Sequence, residues 1–158
     1  MVLQQAKERA MSIASTPAQV VEALMQGISE GAWASLHTLF SDEAIIDYPF
    51  ALPARRQLNG LEDIRKYFAA TSAYPMKLQM RNLVVHETAN PEVVIVEWDY
   101  DGLVESSGHR FRVANITVTT VRNGKIIASR DYHNHAVLAA ALGRLPSLVA
   151  ALSAGAKV

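Results

Sequence analysis

The turn Asn123-Gly124 constrains the fold of this chain more than any other feature. Both residues tolerate positive φ, so an Asn-Gly pair between two strand-like runs marks a tight β-hairpin. The run after it, Lys125 to His133, carries an acid, Asp131, near its end beside Tyr132 and His133. The run before it, His109 to Arg122, is its antiparallel partner. Ser106-Ser107-Gly108 turns the chain again, out of a long strand from Glu92 to Glu105. Val93 to Val96 are apolar on both faces of that strand, which marks a central position. Further back, Met76, Leu78 and Met80 alternate with Lys77, Gln79 and Arg81, the period of a half-buried strand. The phase slips near Asn82, where a β-bulge is expected.

Ahead of Pro75 the apolar spacing is helical. Thr16-Pro17-Ala18-Gln19 reads as a capping box with proline in the first turn, and Val21, Leu24, Met25 and Ile28 follow at helical spacing. A second short helix is expected over Ala32 to Phe40, and a short strand from Ala44 to Tyr48 stopped by Pro49. A loop over residues 51–60 and a third helix carrying Leu61, Ile64, Tyr67, Phe68 and Thr71 come next. The meander is followed by a helical segment from Ala136 to Leu142, ending at Gly143, and a short helix from Pro146 to Leu152. Three helices followed by an antiparallel meander is an α+β order. The helices cover one face of a curved sheet and leave a cone between the layers.

Composition narrows the function. Fifteen basic and fifteen acidic residues cancel, so neither nucleic acid nor an anionic membrane is expected as a partner. The chain has no cysteine, which excludes disulfides, thiolate catalysis and cysteine metal sites and agrees with a cytoplasmic location. Met1 to Ser15 carries Lys7, Glu8 and Arg9, and no apolar run long enough for a signal peptide or a spanning helix follows. No glycine-rich phosphate loop, nucleophile elbow or Walker pattern is present, so no cofactor is expected.

Chemistry concentrates on three strands. In the run from His109 to Arg122 the even positions Ala114, Ile116 and Val118 are apolar, while the odd face turns polar at Asn115 and Thr117. Either the odd face lines a pocket and the even face meets a partner subunit, or the odd face is solvated and the even face is core. Val94, Val96, Trp98 and Tyr100 share a face of the preceding strand, as walls for a flat apolar ligand or as ordinary core. Ser129, Asp131 and His133, with His135 beyond them, share a face of the last strand. Asp131 is a candidate acid/base group, or else the partner of an arginine such as Arg112. Together Asp131, His133 and His135 also raise a metal site, which requires the two imidazoles to converge. Arg55 and Arg56 lie in the expected loop over the cone mouth.

These pieces together resemble the SnoaL-like branch of the NTF2-like superfamily, whose fold is a cone-shaped α+β barrel. Leu39 to Ala44 followed by Asp47-Tyr48-Pro49-Phe50 looks like the family's second-helix-to-first-strand corner. Gly60-Leu61-Glu62-Asp63-Ile64 looks like its third helix start, and Gly124-Lys125-Ile126 through Arg130-Asp131-Tyr132 to Ala141-Leu142-Gly143 looks like its ending. The resemblance implies a domain over residues 16–143, between an extension at 1–15 and a C-terminal helix and tail at 144–158. Where ketosteroid isomerases, more distant relatives, carry a tyrosine, a base and a protonated aspartate, this chain has Leu24, Tyr48 and Thr117, so that reaction is not implied. In the cyclases and phenazine-biosynthesis proteins an acid on the final strand acts as acid/base, and Asp131 takes that place. The histidine that assists in the phenazine proteins is Tyr67 here, with Thr71 one turn on. The resemblance also implies a homodimer through the outer sheet face.

The expectation is therefore an acid/base isomerase, cyclase or dehydratase acting on a small cyclic carbonyl compound, with Asp131 and His133 as catalytic residues. Tyr48, Phe50, Tyr67, Thr71, Val96, Trp98, Tyr100, Asn115 and Thr117 are expected to form the ligand pocket, and no metal is assigned. The alternative is a non-catalytic module of the same fold that binds a small apolar ligand.

Overall fold

The computed structural model describes residues 15–155. The expected N-terminal extension, but for Ser15, and residues 156–158 of the tail lie outside the described residues. In chain order the elements are α1 (Pro17–Ser29), β1 (Phe40–Tyr48), β2 (Arg56–Asn59), α2 (Leu61–Ser72) and β3 (Met76–Glu87), then β4 (Val93–Val104), β5 (His109–Arg122), β6 (Lys125–His133), α3 (His135–Ala141) and α4 (Leu145–Ser153). The strands form one sheet ordered β2-β1-β6-β5-β4-β3. Neighbours are antiparallel except β1 and β6, which run parallel. The α+β class holds. No helix among the described residues is long and apolar enough to cross a membrane.

Local chemistry sets the elements. The capping box closes as expected: the Thr16 N–H donates to Gln19 Oε1 at 2.9 Å, and the Gln19 N–H to Thr16 Oγ1 at 3.2 Å. α1 packs on β3, β4 and β5, and α2 on β1 and β2. Beneath them β4 turns Val94, Val96, Trp98 and Tyr100 inward, and β5 turns Val113, Asn115, Thr117, Thr119 and Val121 inward. The odd face of β5 is thus the helix-covered one. The register of β3 against β4 shifts between Arg81 and Val84, around Asn82 at φ 55°, where the phase slip placed a bulge.

Two expectations are corrected. The second helix is only a single 3₁₀ turn, Leu36–Leu39, and Phe40 already belongs to β1. Hydroxyls compete for the backbone there: Ser35 Oγ donates to the Ala32 carbonyl and Thr38 Oγ1 to the Ser35 carbonyl. Residues 51–60 are not all loop either, because Arg56–Asn59 pairs with β1 as an edge strand. Its one apolar residue, Leu58, gives no period to read. Ahead of it Arg55 clamps the buried Asp47 with two hydrogen bonds, at 2.9 and 2.6 Å. That guanidinium holds the Asp47 carboxyl below its usual range.

Gly102 stands opposite Phe111, and a Cβ there would fall 2.1 Å from the Phe111 ring. The glycine is the seat of that ring on the inner face. Gly102→Ala should therefore force the ring out and cost about 1–3 kcal/mol of stability, measured as a shift of the urea unfolding midpoint at unchanged slope.

Candidate functional site

The site is built by strand register. β4, β5 and β6 place Trp98, Asn115 and His133 on one cross-strand row, Val96, Thr117 and Asp131 on the next, and Val94, Thr119 and Ser129 on a third. The register between β5 and β6 shifts between Thr120 and Val121, where Val121 faces Ile126 but Thr120 faces Ala128. That extra residue carries Ser129, Asp131 and His133 to the inner face. Six polar residues so form a patch inside an otherwise apolar cone.

Within the patch the hydroxyl protons can be counted. Thr117 Oγ1 donates to Asp131 Oδ1 at 2.7 Å, and Ser129 Oγ donates to the same oxygen. Thr119 Oγ1 lies 3.0 Å from Thr117 Oγ1 and 3.1 Å from Ser129 Oγ, so its proton supports one of those two donors. Oδ1 is thereby saturated and Oδ2 is left toward His133, whose Nε2 lies 3.7 Å away. That separation is too long for a hydrogen bond and short enough for an ion pair. Burial pushes the Asp131 carboxyl toward its neutral form, and His133 and the two hydroxyls outweigh it, holding the group below the usual carboxylate range. The other ring nitrogen of His133, Nδ1, lies 2.7 Å from Asn115 Oδ1.

Above this floor lies a cavity of about 130 Å³, walled by Leu24, Met25 and Ile28 of α1, Tyr67, Phe68 and Thr71 of α2, and Leu138 of α3. Tyr48, Trp98, Tyr100, Asn115, Ser129, Asp131 and His133 line it from the sheet. Burial raises the Tyr48 hydroxyl pKa well above its ordinary value, and Tyr67 and Asp131 push it the same way. The Arg56 guanidinium sits 5.0 Å from the ring centres of both Tyr48 and Tyr67. Tyr100 donates its hydroxyl to Met25 Sδ at 3.6 Å.

Of the residues expected at the pocket, Tyr48, Tyr67, Thr71, Trp98, Tyr100, Asn115, Asp131 and His133 border this cavity. Thr117 lies beneath it and reaches it only through Asp131. Val96 is fully buried in the same row and does not line the space. Phe50 is a correction: it is 67% exposed, meets Tyr132 edge-on and lines the outer groove with Val84 and Ile116 rather than the cavity. Arg112 pairs with Asp101 rather than Asp131. Among the described residues no three His, Asp or Glu side chains converge as metal ligands; His135 Nε2 is buried without a partner. Sequence reasoning missed Ser129 as a donor to Asp131 and Thr119 as the support behind it, because the bulge that faces Ser129 inward leaves no trace in composition. It also placed Arg56 in a loop, where the structure stacks it on two tyrosines.

A curved sheet with helices on one face and a carboxylate on the cone floor defines an NTF2-like protein. The chain belongs to the SnoaL-like domain family, which it matches over residues 21–129. It is 32% identical over 99 residues to an uncharacterised PhzA/B-like protein of Pseudomonas aeruginosa, covering 61% of this chain and 68% of that one. Among solved structures it is similar to a candidate isomerase from Bacillus subtilis, with 26% identity, a TM-score of 0.74, and 80% and 92% of the two chains covered. A candidate polyketide cyclase from Xanthomonas campestris shares the fold at 15% identity and TM-score 0.66, over 82% and 96% of the chains.

Thr117→Val removes one of the two donors to Oδ1 and should raise the Asp131 pKa. Because the folded-state pKa of Asp131 is depressed, its stabilisation is present above the unfolded value near 3.8 and is lost as pH falls through the folded one. The variant should lose about 1–3 kcal/mol at neutral pH and begin its acid destabilisation at higher pH than the wild type. Carboxyl-carbon NMR titration and urea unfolding against pH read both effects.

Proposed function

We propose that this protein is a cofactor-independent acid/base enzyme of the isomerase, cyclase or dehydratase kind, acting on a small cyclic carbonyl compound held in the cone. The observation that carries this reading is the one-sided anchoring of Asp131, with Oδ1 holding two hydroxyl protons and Oδ2 free to take one from a ligand. The cavity volume of about 130 Å³ is close to the ~150 Å³ that accommodates benzene in an engineered core, which fits one six-membered ring. In the proposed step Oδ2 takes a proton from the carbon beside the carbonyl, and the C–H electron pair passes into the enolate. The carboxyl then returns the proton at another carbon. Tyr48, kept protonated by its burial, is the donor for the developing oxyanion. His133 is the second acid/base group, and Tyr67, Thr71, Trp98 and Tyr100 orient the ring.

A second reading, a binding module without catalysis, draws on the same site. A carboxyl held below its usual range is a weak base at neutral pH. Hydrogen–deuterium exchange at the saturated α′-carbon of 2-cyclohexenone separates the two. The wild type should accelerate exchange and Asp131→Asn should lose about 100-fold or more of that acceleration, with ligand affinity nearly unchanged. Equal exchange by the two proteins would end the acid/base role, and binding without any acceleration would favour the module.

The outer sheet face supports an assembly. Val84, Ile116, Leu52 and Phe50 are exposed apolar residues along a groove of about 680 Å³ that also includes Ala114 and Tyr132. Contiguous apolar surface of this kind marks an interface, and the proposed occupant is a second copy of the chain. Sedimentation should show a dimer that Ile116→Asp converts to a folded monomer; a monomeric wild type would sink this assembly.

A further inference from the structure

We propose that Asn115 is a positioning residue that locks His133 in its Nδ1–H form, so that the bare lone pair of His133 Nε2 is turned to Asp131 Oδ2. Asn115 is buried, and its Nδ2 donates to the Val113 carbonyl at 3.1 Å. A carbonyl only accepts, so the amide nitrogen must face Val113 and the amide oxygen must face His133. That oxygen also only accepts, and at 2.7 Å from Nδ1 it requires the hydrogen to sit on Nδ1. Neutral His133 therefore presents a bare lone pair at Nε2.

That lone pair faces Oδ2 of Asp131 across 3.7 Å. Oδ1 cannot relieve the contact, since it already accepts from Thr117 and Ser129. One added proton satisfies both acceptors, as imidazolium and carboxylate or as neutral imidazole and carboxylic acid. The groups around the pair are Tyr48 from β1, its ring centre 5.9 Å from that of His133, and His135 from α3 at 6.0 Å. Tyr67 from α2 and Arg56 from β2 stand behind Tyr48. On β4, Trp98 meets the His133 ring edge-on and leaves no acceptor or charge there. None of these neighbours is a carboxylate, so among the described residues Asp131 is the one anion the imidazole meets.

The chemical purpose of the pair rests on the acid/base reading of the cavity; the proton placement does not. Histidine ring-nitrogen NMR on uniformly labelled protein therefore tests it without a substrate. At a pH where His133 is neutral, the wild type should give the Nδ1–H signature. Asn115→Leu, which keeps the branched shape and removes the acceptor, should shift His133 to the Nε2–H form with its hydrogen toward Asp131. Asn115→Asp, which restores an acceptor at the same place, should return the Nδ1–H signature. A wild-type His133 in the Nε2–H form would overturn the proposal, as would an unchanged tautomer in folded Asn115→Leu. An Nδ1–H wild type that exchanges no α-proton would sink only the enzymatic reading.

Discussion

A one-residue slip between β5 and β6 decides which side of the sheet Asp131 faces. From the hairpin turn, Arg122 faces Lys125 and Val121 faces Ile126. Continued without interruption, that count would set Thr117 against Arg130 and turn Asp131 to the outer face, since a slip of one residue exchanges the two faces of a strand. The bulge at Ile127 and Ala128 adds the residue that sets Thr117 against Asp131 and Asn115 against His133. The parallel neighbour adapts at the same place, for β1 shifts its own register against β6 between Phe40 and Ile45. The polar floor, the hydroxyl donors and the imidazole contact all depend on this irregularity, which fits the tendency of bulges to re-aim side chains beside sites.

Holding a carboxylate under two helices has a cost. An ion taken from water loses several kcal/mol of solvation even after relaxation. Each hydroxyl donor to a charged group returns roughly 1.5–3 kcal/mol, and here both donors converge on one oxygen. The apolar walls cannot contribute to that balance, so the polar residues had to come from the sheet itself, at alternate positions of two adjacent strands. That is why Thr117, Thr119 and Ser129 are buried where a sandwich of this size would otherwise carry valine or isoleucine.

The strands and their ends were legible because their signals are local. Asn123-Gly124, the alternation after Pro75 and the phase slip at Asn82 each act within a few residues. The shared face of Ser129, Asp131 and His133 was legible for the same reason, since period two holds along that segment. Which side of the sheet that face turns to was not, because the deciding residues, Ile127 and Ala128, look like any others in a strand. β2 escaped because an edge strand is defined by its partner, and Arg56-Gln57-Leu58-Asn59 has one apolar residue to show for it. Phe50 was placed in the pocket on residue type alone. Its ring lines the outer groove, and an aromatic ring serves a surface groove as readily as a cone.

Asp131 is under opposed influences, and ligand binding changes their balance. Burial favours the neutral acid, and the His133 ring and the two hydroxyls outweigh it and hold the carboxyl below its usual range. Its side chain is still 19% exposed, so water retains access to the carboxyl. An apolar ring that fills the cavity removes that water and leaves the hydroxyls in place, which strengthens the one influence that favours the neutral acid. Under the proposed function the basicity of Oδ2 would therefore rise as a ligand enters and fall as it leaves. On the proposed function, a weak base in the free protein and a stronger one in the complex would be the same carboxylate in two solvents, which reconciles the depressed pKa of Asp131 with an acid/base role.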